Sequence, residues 1–118
     1  MSWNIEFYKT EGGREPVKEF LGLLPIKHQI KMAKTINLLR ELGPILKEPH
    51  SRHVIGTELK ELRIQFSPNI YRIFYFAYVN KGFILLHAFT KKTEQTPRRE
   101  IEVALNRVSD YIRRYKDD

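Results

Sequence analysis

Apolar and polar side chains follow two distinct rhythms along these 118 residues, and the switches between them outline an order of elements. From Trp3 to Tyr8, large apolar side chains (Trp3, Ile5, Phe7) alternate with Asn4, Glu6 and Tyr8, the two-residue period of a strand. Gly12-Gly13 breaks it. Pro16 suits the first position of a helix, and Val17, Phe20, Leu21 and Leu24 fall on one helical face. Pro25 begins a second helix, in which Ile26, Ile30, Ala33, Ile36, Leu39 and Leu42 recur every three or four residues. Gly43-Pro44 stops that helix, because proline disfavours a helical residue before it and glycine suits a C-terminal cap. Two antiparallel helices joined tightly at Pro25 are expected.

Residues 44 to 56, with Pro44, Pro49 and Gly56 among basic and histidine side chains, read as a loop. Three strands follow: Leu59 to Phe66, Ile70 to Val79 and Phe83 to Thr90. Ser67-Pro68-Asn69 carries a turn signature between the first two, and Asn80-Lys81-Gly82 a hairpin signal between the last two. Thr96 can cap a final helix with Pro97 at its first position. Ile101, Ala104, Leu105, Val108, Tyr111, Ile112 and Tyr115 form its apolar stripe, so both tyrosines are assigned to packing. The fold class is α+β: strand, two helices, a three-stranded antiparallel meander and a C-terminal helix, with the N-terminal strand joining the sheet. One domain spans residues 1–118.

Parity sorts each strand into two faces. A two-residue turn at Pro68-Asn69 would set Arg63 opposite Phe74 and Gln65 opposite Arg72. A two-residue turn at the Asn80-Lys81-Gly82 corner would bring Phe74 and Phe76 near His87 and Phe89. One face then holds Leu62, Ile64, Ile73, Ala77, Ile84, Leu86 and Ala88, an apolar floor for the helical hairpin. The other holds Glu61, Arg63, Gln65, Arg72, His87 and Phe89, with Phe74, Phe76 and Leu85. A three-residue turn at either corner would scatter this grouping.

Charge gives the second face a meaning. Lys and Arg number 21 against 14 Asp and Glu, a net +7 that favours phosphate backbones, acidic partners or anionic surfaces. The chain has no cysteine, which excludes disulfides and thiolate chemistry and fits a reducing compartment. No apolar stretch reaches the about 20 residues of a membrane-spanning helix. The opening residues Met1–Glu6 lack a charged start followed by an apolar run, so no signal peptide is expected. A cytoplasmic protein without membrane contact is the expectation. The histidines at 28, 50, 53 and 87 have no metal-ligand spacing supported by carboxylates, and there is no glycine-rich phosphate loop or serine nucleophile motif. Neither metal nor cofactor is expected.

The segments Leu59-Lys60-Glu61-Leu62-Arg63-Ile64, Tyr71-Arg72-Ile73-Phe74-Tyr75 and Leu86-His87-Ala88-Phe89-Thr90-Lys91-Lys92 together resemble the RelE/ParE superfamily of bacterial toxins. With the continuation Thr93-Glu94-Gln95-Thr96-Pro97-Arg98-Arg99-Glu100-Ile101, the resemblance is strongest to the phage-related HigB-like branch. It implies a RelE-like fold and the toxin of a type II toxin–antitoxin pair, which blocks translation by cutting mRNA on the ribosome. It also implies a neutralising antitoxin, often a helix-turn-helix protein. A gyrase inhibitor of the ParE kind and a non-toxic phage-derived nucleic-acid-binding module are the alternatives.

Metal-independent RNA cleavage needs a base for the 2′-hydroxyl, cations for the developing phosphate charge and an acid for the leaving oxygen. Arg72 and Arg63 are candidates for the cations, since a planar guanidinium grips two phosphate oxygens; either could instead be an ordinary cation paired with Glu61. His87 is a candidate acid or base, or a half-buried structural histidine beside Phe89. Lys91 and Lys92 leave the strand where they can meet a phosphate. Lys60, Arg52 and His53 could extend a phosphate track, and Tyr71 or Phe89 could stack a base, although packing is the stronger expectation for Phe89.

Overall fold

A computed structural model describes residues 2–92 and 96–115. Thr93, Glu94 and Gln95, which belong to the motif following the last strand, lie outside the described residues. The elements run β1 (Ile5–Phe7), α1 (Pro16–Gly22), α2 (Ile26–Leu42), a short 3-10 turn (Gly43–Ile45), β2 (Ser51–His53), β3 (Lys60–Phe66), β4 (Asn69–Tyr78), β5 (Gly82–Lys91) and α3 (Arg98–Tyr115). The strands form one mixed sheet in the order β1-β5-β4-β3-β2, in which β1 runs parallel to β5 and the other pairs are antiparallel. This is an α+β architecture compatible with a RelE-like fold. The expected loop at 44–56 contains β2, whose three residues cover only the first half of the β3 edge.

Helices cover both faces of the sheet. The helical hairpin packs over Leu62, Ile64, Tyr71, Ile73, Tyr75, Phe83, Leu85 and Ala88, contributing Val17, Met32, Ile36 and Leu39. On the opposite face α3 lays Ala104, Val108 and Tyr111 over Leu59, Phe74, Phe76, Ile84, Leu86 and Phe89. The stripe expected on α3 is therefore the one it buries. On α2 the buried line is Met32, Thr35, Ile36 and Leu39, while Ile26, Ile30 and Leu42 are exposed. The buried line is thus rotated away from the one the aliphatic spacing suggested.

The two hairpins correct the expected registers. The β3–β4 turn uses Ser67-Pro68, with Pro68 third in the turn after a cis bond, so Phe66 pairs with Asn69. Arg63 consequently faces Arg72, and Glu61 faces Phe74, two residues away from the expected pairing. A shift of two preserves parity, and Glu61, Arg63 and Arg72 still share a face. At the second corner Tyr78 pairs with Gly82 across a three-residue loop, with Asn80 and Gly82 at positive φ. That loop length inverts the parity of β5, so Ile84 faces α3 and Leu85 faces the hairpin, the reverse of the expectation. Ala77, expected in the core, is exposed. The ladder then slips: Tyr75 pairs with Leu85 but Phe74 with His87, and Leu86 is the extra residue of a β-bulge. Parity is restored beyond it, which returns His87 and Phe89 to the side of Arg72.

Gly82 also permits β1 to join. Its φ is +83°, and a Cβ there would collide with the carbonyl oxygen of Asn4, which accepts the Phe83 N–H at 2.9 Å. Gly82→Ala is therefore expected to destabilise the protein by about 1–3 kcal/mol, through left-handed strain and displacement of β1. Urea unfolding would check this, and an unchanged midpoint would refute it.

Candidate nucleic-acid interface

Cross-strand pairing places basic side chains in successive rows at one end of the α3 face. Arg52, Glu61, Phe74 and His87 form one row; Arg63, Arg72 and Phe89 the next; Gln65, Ile70 and Lys91 the last. Phe74, His87 and Phe89 lie beneath α3, whereas Arg63 and Lys91 are half-buried and Gln65 is exposed. A cleft of about 740 Å³ opens here, lined by Arg63, Arg72, Thr90, Lys91, Lys92 and Asn69 together with Pro68 and Ile70. A smaller one of about 270 Å³ adjoins it round the β3 edge and shares Arg63, Ile70 and Arg72.

Arg72 is the floor of this arrangement. It is 3% exposed, and its Nε lies 2.9 Å from Oε1 of Glu61, itself 5% exposed. The contact is an ion pair without hydrogen-bond alignment, and Arg72 Nε makes no hydrogen bond among the described residues. Nη1 donates to the Tyr71 carbonyl at 3.2 Å. Burial lowers the Arg72 pKa, and Arg63 adds to that, while Glu61 opposes it. Arg63 is the more available cation: its side chain is 27% exposed and, among the described residues, its one ion-pair contact is a peripheral approach to Glu48 at 4.0 Å. Lys91 has its pKa lowered by burial first and then by Arg72, with Arg63 and Arg52 in the same sense and Glu61 opposing. Arg52 joins the group from β2, with a 3.4 Å contact to Glu48.

The remaining candidates lie elsewhere. Parity turns Lys60 and His53, a cross-strand pair, to the face opposite Arg63; Lys60 lines a separate pocket with Trp3 and Ala77, and His53 contacts the Thr57 carbonyl at 2.7 Å. Tyr71 is buried under the helical hairpin, its hydroxyl 2.6 Å from His28 Nδ1. Phe89 packs between Phe74 and His87. Neither aromatic is open for a base to stack on.

His87 is bound to α3. Its Nε2 lies 2.5 Å from Glu100 Oε1, and Arg107 Nη1 approaches Nδ1 at 3.3 Å. A guanidinium can only donate, so Nδ1 accepts and Nε2–H donates to the carboxylate, the neutral tautomer. Burial, the largest influence, lowers the His87 pKa and agrees with that form. Glu100 and Arg107 were not legible as its partners, because only packing of α3 across β5 brings them there. Lys31, Thr35 and His50, which line the smaller cleft, likewise come from α2 and the segment before β2.

Two outcomes follow from these surroundings. Arg72→Ala should cost about 3–5 kcal/mol of stability, because it strands buried Glu61 without its counter-charge, and the double change Arg72→Met/Glu61→Leu should recover most of it. Denaturant unfolding of both variants would decide, and a mild single mutant would be the contrary result. For His87, a folded pKa below the ordinary value means the unfolded chain binds more protons in that range. Its contribution is thus present above about pH 6.5 and is lost as pH falls. His87→Gln, which keeps a donor for Glu100, should remove this component from a stability profile taken between about pH 8 and about pH 5.

Among the described residues no helix is long and apolar enough to cross a membrane, and no group of three His, Asp or Glu side chains is placed to hold a metal ion. The model of the family described as phage-derived protein Gp49-like (DUF891) matches residues 19–109, from α1 through most of α3. No curated protein matches the chain significantly.

Proposed function

The chain belongs to the phage-derived Gp49-like family, within the RelE/ParE-like toxin superfamily, and on that footing we propose that it is a toxin acting on RNA. The reading in full is a HigB-like toxin of a type II pair, cutting mRNA on the ribosome in the cytoplasm and neutralised by a helix-turn-helix antitoxin. The observation that carries it is the convergence of Arg63, Arg72, Lys91 and Lys92 on one open cleft, with Glu61 paired to Arg72 beneath it. Such a surplus beside a cavity fits a phosphodiester backbone, whereas a gyrase binder has no need of it.

In the proposed reaction the 2′-oxygen attacks the adjacent phosphorus and the bond to the 5′-oxygen breaks, leaving a cyclic phosphate and a 5′-hydroxyl. Arg63 contacts the phosphate, and buried Arg72 adds positive potential from below, where a low dielectric strengthens it. Lys91 is the proton carrier: its lowered pKa increases the neutral fraction that can accept the 2′-hydroxyl proton, and the resulting ammonium can protonate the leaving oxygen. His87 does not line the cleft; burial, with Arg107 adding to it and Glu100 opposing, lowers its pKa, and its part is to fix α3 against the sheet.

Expression without a partner is expected to arrest growth. With translating ribosomes and mapped mRNA 5′ ends, Arg63→Ala and Lys91→Ala should each lower cleavage by about 100-fold. Lys91→Arg should not restore it, since a guanidinium does not exchange protons at neutral pH. Undiminished cleavage by both alanine variants would remove this cleft from the mechanism. Supercoiling inhibition without cleavage would instead identify a gyrase inhibitor.

A further inference from the structure

The smaller cleft shares Arg63 and Arg72 with the phosphate cleft it adjoins and adds Lys31 as a further cation. Pro49, Ile64 and Ile70 give it apolar walls, and Thr35, His50 and Gln65 place hydrogen-bonding groups around them. The side chains of His50 and Gln65 make no hydrogen bond among the described residues. The Thr35 hydroxyl donates to the Lys31 carbonyl at 3.2 Å, which leaves its oxygen able to accept.

The backbone supplies more. The Arg63 N–H points away from β4 and donates to His50 O at 2.9 Å. In an antiparallel strand the N–H and C=O of one residue point the same way and alternate with those of its neighbours, so Gln65 also points outward. Strand β2 pairs only as far as Leu62, and no described strand covers Gln65 on that side. A backbone donor and acceptor without a partner among the described residues therefore lie at the rim of the cleft, next to Arg63.

We infer that this second cleft is a nucleobase pocket, which seats the base of a nucleotide whose phosphate lies on Arg63. Apolar contact from Pro49 and Ile70 takes the face of a base, and the Gln65 backbone with the Gln65, His50 and Thr35 side chains reads its edge, as proteins read unstacked RNA bases. A volume of about 270 Å³ suits one base with its sugar rather than a larger ligand. The inference rests on the RNA reading of the neighbouring cleft and adds to it a means of sequence preference, which phosphate contacts alone lack.

The test is an NMR titration of the whole protein with an uncleavable 2′-O-methyl RNA trinucleotide and with the same backbone lacking its bases. Gln65→Ala and His50→Ala, both at exposed positions, should each weaken the base-bearing ligand by about five- to tenfold, the loss of one neutral hydrogen bond. Both should leave binding of the abasic ligand unchanged, whereas Arg63→Ala should weaken both ligands. If the Gln65 and His50 variants affect the two ligands equally, or neither, while Arg63→Ala still weakens both, the base pocket is wrong and the phosphate cleft stands. Indifference of both ligands to Arg63→Ala would overturn the two together.

Discussion

Leu86 has no partner in the β4–β5 ladder, and the arrangement of this molecule depends on that one unpaired residue. The three-residue loop before β5 inverts the strand's parity, and without a bulge His87, Phe89 and Lys91 would face the helical hairpin. With it, Leu86 and His87 both turn toward α3, and Phe89 and Lys91 beyond them lie on the side of Arg72, while Ala88 still faces the helical hairpin. The sheet can thus be apolar on both faces where helices cover it and basic at the end where α3 does not reach. A bulge also increases local twist, which suits a sheet sandwiched between helical layers.

At that uncovered end the charges are unequally compensated. Among the described residues, Arg52, Arg63, Arg72 and Lys91 gather around one buried acid, Glu61, with Glu48 as a peripheral partner. Glu61 makes burial of Arg72 tolerable and leaves the other cations in excess, so the cleft carries a persistent positive potential. The identification of Arg72 as an ion-paired cation and as a contributor to the cleft are therefore compatible. Its field reaches the cleft while its guanidinium stays largely out of solvent.

His87 and Lys91 illustrate how burial separates two groups four residues apart. His87, under α3, has its pKa lowered chiefly by burial, while a carboxylate and a guanidinium orient its ring. Lys91, past the end of that cover, keeps access to the cleft and feels the neighbouring arginines instead. The residue whose ordinary pKa suits proton transfer is structural, and the one whose pKa is lowered, by burial first and by the neighbouring arginines second, faces the site.

Residue pattern by itself determined the element order, the apolar stripe of α3 and the sharing of one face by Glu61, Arg63, Arg72 and His87. These follow from local periodicity, turn residues and parity, which survived because one register error was even and the loop and bulge cancelled each other. The pairing of Arg63 with Arg72, the strand hidden at Ser51–His53, the burial of Tyr71 and Phe89 and the capture of His87 by Glu100 and Arg107 were decided only by tertiary structure. So was the exclusion of His53 from the cleft, since β2 had to be known to pair before its parity meant anything, whereas Lys60 is turned away from Arg63 by the parity of β3 alone. Each of these depends on which surface a distant helix or strand covers, and the energy of that choice lies in burial shared between segments rather than in either segment alone.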